Sequence, residues 1–320
     1  MPNRLIRKTA ILLKIETTYG VDPTPTGAAN ALLVSNLSVN PLAASNVDRD
    51  NVRPYFGASE QLVGTANVEM GFDVEFQGSG ALGVAPAWGP ALRAAGFGEV
   101  ITATNRVDYT PISDLLESCT IYWYDDGVLH KAFGARGTVE IVAGVGERPV
   151  FRFNFIGIDG GISAVANPAL TLTAWQQPKV ITDANTGDLT FGGSYAAGAV
   201  TGGTVYPSRG LNLNTGNVVN FTPLLGGETV DLSDRQVSGA IQLDLSAAQE
   251  VSFMATVKAN TLSSLSLLHG TAAGFKVLIF LPSVQMLNPS KQEINGKRLI
   301  GYDIRAVPLV GNDELRIVAL

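Results

Sequence analysis

The residues best equipped for chemistry are few and scattered. There is one cysteine, Cys119, and there are two histidines, His130 and His269. A zinc site needs about four Cys or His ligands at short spacings, and this chain cannot supply them. In Glu117-Ser118-Cys119-Thr120-Ile121-Tyr122-Trp123-Tyr124 the cysteine falls within a strand pattern, so it is expected to be a buried structural thiol. His269 is expected at the end of a helix, where a cation suits the negative pole of the backbone dipoles. The Gly-x-Ser-x-Gly elbow of serine hydrolases is absent. Gly78, Gly80 and Gly83 have the spacing of a dinucleotide loop, but no βαβ unit or acidic partner accompanies them. Asp125-Asp126 and Asp313-Glu314 sit where turn or surface is expected, and adjacency alone does not make a catalytic carboxylate pair. These residues predict no catalytic, cofactor-binding or metal-binding site, and no enzyme.

With chemistry set aside, the elements carry the information. Thr65 to Phe76 alternates without a break. Ala66, Val68, Met70, Phe72, Val74 and Phe76 fall on one side, and Asn67, Glu69, Gly71, Asp73 and Glu75 on the other. Side chains of a strand alternate between faces, so this is a strand about 40 Å long with a dry face and an acidic face. Gln236–Leu245 alternates similarly, with Val237, Ile241, Leu243 and Leu245 opposite Ser238, Gln242 and Asp244.

The 320 residues are 46 % hydrophobic and only 16 % charged, against a usual charged share of about 25 %. A sparsely charged surface is a hint of assembly. Net charge is −6 and no basic run exists, which argues against a tight grip on nucleic acid. No stretch approaches the ~20 apolar residues of a membrane helix, and Ile11-Leu12-Leu13, interrupted by Lys14, is too short for a signal-peptide core. A cytoplasmic location without membrane contact is the expectation.

In chain order, a strand or arm over Leu5–Thr17 precedes a Pro- and Gly-rich loop, and Ala31–Leu42 forms a strand. Residues 43–64 read as a long connection, with Arg49, Asp50, Arg53, Tyr55 and Phe56 as candidate contact residues. After the long strand, a short helix carries Trp88 and Leu92, with Gly96 as its cap. Strands follow at Arg106–Pro111, Ser118–Tyr124, Leu129–Ala135, Thr138–Val142 and Val150–Ile158, with Asp125-Asp126-Gly127 as a hairpin turn. In Phe151-Arg152-Phe153-Asn154-Phe155 the aromatics share one face. Residues 179–205 read as a Gly/Ala/Thr-rich connection between domains at 1–178 and 206–320. The second half is expected to repeat the first. It has a strand near Gly210–Asn214, a Gly-rich connection at Leu224-Leu225-Gly226-Gly227-Glu228 and the alternating strand. A helix over Val251–His269, capped by Gly270, comes next. Strands at Phe275–Leu281 and Arg298–Pro308 flank turns at Asn288-Pro289 and Asn295-Gly296, and Leu315–Leu320 closes the chain.

Several of these stretches resemble a known family. Arg7 to Gly20 followed by Asp22-Pro23-Thr24-Pro25, then Asp48-Arg49-Asp50, Gly64 with its alternating strand, and Ala85 to Phe97 are similar to the tail tube proteins of long-tailed bacteriophages, with the likeness best over residues 5–100. The resemblance implies a mainly β fold of two tandem β-sandwich or tube-type domains, each with a flanking α-helix. Long strands would form a shared β-barrel in a ring, and stacked rings would form the conduit for genome delivery. It implies a virion protein, assembled in the host cytoplasm. Its partners would be itself, the tape measure protein and DNA in the lumen, and the tail terminator and distal tail proteins. Glu69, Asp73, Glu75, Gln242 and Asp244 would then face the lumen, and Arg49, Asp50, Arg53, Tyr55 and Phe56 would make contacts between subunits or rings. Two tube-like halves would give three subunits per ring with pseudo-six-fold symmetry. A hexameric ring, with the second half as outer decoration, is the competing arrangement. A carbohydrate-binding or other β-sandwich module is the alternative function, but it would want a cluster of exposed aromatics with acids, and the adjacent Tyr122, Trp123 and Tyr124 split between faces. An outer-membrane barrel lacks the export signal it would need.

Overall fold

A computed structural model describes residues 3–320, so Met1 and Pro2 of the expected first domain lie outside it. The first half contains β1 (Thr9–Ile15), β2 (Ala31–Leu32), β3 (Val34–Asp48), β4 (Gln61–Glu75), α1 (Gly89–Ala94), β5 (Phe97–Thr102), β6 (Arg106–Pro111), β7 (Cys119–Asp125), β8 (Val128–Gly144) and β9 (Val150–Ala164). Then come four short strands, β10 (Leu189–Phe191), β11 (Ser194–Ala196), β12 (Ala199–Thr201) and β13 (Thr204–Tyr206). The rest comprises β14 (Ser208–Asn214), β15 (Val218–Leu224), β16 (Gly227–Asp234), β17 (Ser238–Leu243), α2 (Ala247–Lys258), β18 (Ser263–His269), β19 (Val277–Ile294), β20 (Lys297–Ala306) and β21 (Arg316–Ala319). The protein is mainly β.

All pairings are antiparallel, and they trace the same order twice. The first run is β3-β4-β9-β8-β7-β1-β2. The second is β14-β17-β20-β19-β18-β10-β13. β14, the edge of the second run, also pairs with β8 beyond the part that β7 occupies, which fuses the runs. A second seam runs β19-β21-β6-β5. The alternating apolar faces meet in one core that includes Phe72, Trp88, Phe151 and Phe153 from the first run and Leu211, Ile241, Leu265 and Tyr302 from the second.

Several elements differ from expectation, each for a local reason. Residues 43–64 are not one connection, because β3 runs on to Asp48 and β4 starts at Gln61, leaving a 12-residue tip over 49–60 on a projecting hairpin. Neither strand alternates cleanly there, since both faces are solvated. The region 129–142 is one strand, which Gly134 (φ +55°) bends at a bulge. Asn288-Pro289 is likewise a bulge inside β19, with Asn288 at φ +48°, and the hairpin turns at Asn295-Gly296. The 179–205 stretch carries β10, and β10 docks on β18.

The helix over Val251–His269 is the largest correction. It starts earlier, with Ser246 and Gln249 forming a reciprocal capping box, and it ends at Lys258. Asn260 takes φ +51°, and Ser263–His269 is strand. Serines at 263, 264 and 266 are poor helix formers, and Leu265, Leu267 and His269 alternate inward between β10 and β19. Gly270 therefore caps no helix. By contrast Gly96 follows α1 with φ +85° and donates to the Arg93 carbonyl, as a helix-stopping glycine does.

Candidate functional site

The most extensive feature built by both halves is the polar face of the fused sheet β3-β4-β9-β8-β14-β17-β20-β19. Register carries one row of side chains across all eight strands: Ser35, Asp73, Arg152, Glu140, Asn214, Ser238, Arg305 and Gln285. Gly71, Asn154 and Thr138 line the adjacent row on one side, and Asn212, Ala240 and Asp303 continue the face on the other. The opposite face of the same strands is aromatic and aliphatic. Phe72, Phe153 and Phe155 pack ring against ring, as do Phe76 and Phe151 at 4.6 Å. The period-two pattern thus puts a dry core beneath one broad polar surface.

That surface is less acidic than its outer strands suggest. Asp73 is only 3 % exposed. It accepts hydrogen bonds from Arg152 Nε at 3.0 Å and from Asn36 Nδ2 at 2.7 Å. Arg152 also reaches Glu140 at 2.9 Å. Arg148 pairs with Glu75 at 2.6 Å, and Lys297 pairs with Asp244. Asp73 is therefore not a free carboxylate on this face, a correction to its expected exposure, and the charges of Glu75 and Asp244 are locally offset. Gln242 lies half-buried on β17, and Glu69 stands exposed. The expected set is thus brought onto one sheet face. Arg148, Arg152, Arg305, Glu140, Asn212 and Asn214 share that face and were missed. The signal for one of them was present: if Phe151, Phe153 and Phe155 face the core, Arg152 must face away, as must Asn154 beside it. Chemically the surface is a field of amides, hydroxyls and charges that are paired apart from Glu69, Asp303 and Arg305, without an unpaired cation cluster among the described residues.

The tip of the β3–β4 hairpin gathers the second expected set. Arg49 and Arg53 share one carboxylate, Glu60, within the loop, while Asp50 is exposed. Val52 and Tyr55 are exposed, and Phe56 is fully so at 108 %. The contact potential there is apolar rather than ionic.

The residues first weighed for chemistry are structural. Cys119 is fully buried, and burial pushes its thiol well up. Tyr122 and Tyr124 are buried and Trp123 stacks on His130, so no aromatic platform for a sugar exists there. His269 is at no helix end. It is fully buried on β18, with Nδ1 2.8 Å from Thr186 Oγ1 and its ring edge-on to Phe76. Burial, and then the charge of Lys179, hold its pKa below the ordinary value. The unfolded chain therefore takes up a proton that the fold refuses. Stability should be complete above about pH 6.5 and fall as pH drops below it. His130, also held down chiefly by burial, adds to this slope. His269→Gln is expected to flatten the loss measured by thermal melts between about pH 6.5 and 5.5, and an unchanged slope would assign it elsewhere.

Two comparisons bear on this arrangement. A family model described as phage tail tube protein matches residues 6–314. No curated protein matches the chain.

Proposed function

The chain belongs to the phage tail tube protein family, so it is a structural component of the virion tail, and from that premise we propose how it builds the tube. Two tube-type units, 1–178 and 206–320, stand side by side in each chain, the second taking β10 and β13 from the 179–205 stretch between them, and three chains complete a ring. The supporting observation is the β8–β14 seam, which joins two runs of identical strand order into one sheet. Each chain then supplies two sixths of a closed barrel. The competing ring of six whole chains would put the second run outside as decoration, which sits poorly with β14 continuing the same sheet. Closing the sheet also removes its long exposed edges. End-on averaging of purified tubes by electron microscopy should give three-fold rings, and rings of six whole chains would overturn this stoichiometry.

In this reading the polar face lines the lumen, where the tape measure protein and then DNA pass. Amides, hydroxyls and carboxylates already held by Arg148, Arg152 and Lys297 offer a phosphate backbone no unspent cation cluster. Glu69 is the clean test, because it is exposed and ion-pairs with nothing among the described residues. Its nearest polar partner is Asn40 Nδ2, at 3.5 Å. Glu69→Lys should leave tubes of normal length and slow DNA ejection, because repeated rings would then present stacked cations to DNA. Wild-type ejection from such virions would overturn the lumen assignment. Assembly would proceed in the host cytoplasm, with tail terminator and distal tail proteins at the tube ends.

A further inference from the structure

The two runs correspond residue by residue, not only strand by strand. Phe72 faces Phe153 on β4 and β9, and Ile241 faces Tyr302 on β17 and β20. Counting along the strands from those two pairs reaches Glu75 with Arg148 in the first run and Asp244 with Lys297 in the second, and both are ion pairs. The same correspondence sets Ser38, opposite Gly71, against Asn212, opposite Ala240. It sets Asn36, at φ +52°, against Gly210, at φ +101°, and each lies in a register shift of its strand. Across the sheet it sets Glu140, opposite Arg152, against Ser290, opposite Gly301.

The correspondence fails at one place. The outer edge of β14 is paired with β8, as Asn214↔Glu140, Leu213↔Ile141, Asn212↔Val142, Leu211↔Ala143 and Gly210↔Gly144. The outer edge of β3 has no partner among the described residues. Neither does β19 beyond Val284 on the side that β18 occupies. One chain thus carries one filled and one empty copy of the same joint, split between its two ends.

We propose that β3 of one copy takes on β19 of the next the place that β14 takes on β8, with Asn40↔Ser290, Val39↔Lys291, Ser38↔Gln292, Leu37↔Glu293 and Asn36↔Ile294 paired antiparallel. This rests on the ring reading and adds its register. The residues flanking the ladder agree with it. The next pair beyond Asn40↔Ser290 would be Pro41 with Pro289, and neither has an N–H, so the ladder stops there. The β15–β16 hairpin rises from β14 and clasps the first half, with Val230 N donating to Tyr19 Oη and Arg136 donating to the Val230 carbonyl. The β3–β4 hairpin, with its exposed Val47, Leu62 and Val63, would clasp the next copy's second half in the same way.

The test uses the full chain with Asn40→Cys and Ser290→Cys together. Facing residues of an antiparallel pair lie about 4.5–5.5 Å apart at Cα, within disulfide range, and the native Cys119 is buried. Oxidised tubes should convert most of the monomer band on a denaturing gel into cross-linked species ending at three chains. Either single variant should remain monomeric, and so should Asn36→Cys with Ser290→Cys, which is four residues out of register. Tubes that form but cross-link only in the shifted pair, or in neither, would overturn the register while leaving the ring reading intact. Wild-type tubes without rings of three would overturn the ring reading itself. If the double variant does not assemble, hydrogen exchange on wild-type protein decides. The amides of 36–40 and 290–294 should gain protection together on assembly, and unchanged exchange there would overturn the joint.

Discussion

Glu16→Ala is expected to destabilise the protein by about 3–5 kcal/mol, the scale of leaving buried charged-group partners unsatisfied. Glu16 is a buried carboxylate with four donors around it. Its Oε2 accepts from Gly20 N at 2.8 Å and Ser118 Oγ at 2.6 Å, and its Oε1 accepts from Thr120 Oγ1 at 2.7 Å and Gly134 N at 2.8 Å. Those contacts tie the 19–30 loop, β7 and the bulge of β8 to the end of β1. Alanine would strand two backbone N–H groups in a dry site and leave a void. Glu16→Gln separates acceptance from size. Its amide nitrogen can only donate, so one backbone N–H would face another donor while the hydroxyl beside it turns to accept. Chemical denaturation should therefore place Gln between wild type and Ala. A near-wild-type Glu16→Gln midpoint would mean that the side chain merely fills space.

Gly210→Val is expected to part the two halves. A Cβ on Gly210 would lie 2.0 Å from the Ala143 carbonyl oxygen and 3.0 Å from Gly144 Cα, both backbone, so nothing flexible can move aside. The φ of +101° adds strain of about 1–3 kcal/mol for a branched residue. Relieving the clash means separating β14 from β8 at the seam that makes one sheet of two runs. Gly226→Val isolates the strain, because Gly226 has φ +92° but open space around it. Gly226→Val should lower the melting temperature modestly, whereas Gly210→Val should yield insoluble protein, or folded protein that makes no tubes. Normal tubes from Gly210→Val would show that the seam is dispensable.

The amino-acid sequence alone determined the class of the fold and the absence of a chemical motif. It marked β4 and β17 by alternation, because a strand half in water must write its two faces into every second residue. Turns that need left-handed backbone, such as Asp126-Gly127 and Asn295-Gly296, were legible for the same reason: few residues accept that geometry. The resemblance that pointed to a tube protein also rested on local stretches.

Tertiary structure decided what local pattern does not encode. Ser263–His269 has the apolar content of a helix continuation, its serines favour helix only weakly, and its place between β10 and β19 settles it as a strand. Both faces of the β3–β4 arm are solvated, so no alternation announced its length. The acidity read from β4 was real, but Glu75 and Asp73 are offset by Arg148 and Arg152, which lie far along the chain from them, as Asp244 is by Lys297. A sequence gives the sign of each charge, and only the sheet register sets which opposite charge stands beside it. The repeat follows the same logic. Residue identity between the halves is slight because packing constrains volume and polarity rather than type, whereas hydrogen-bond order constrains every backbone. Strand order and pairing register therefore recur between the halves where residue identity does not.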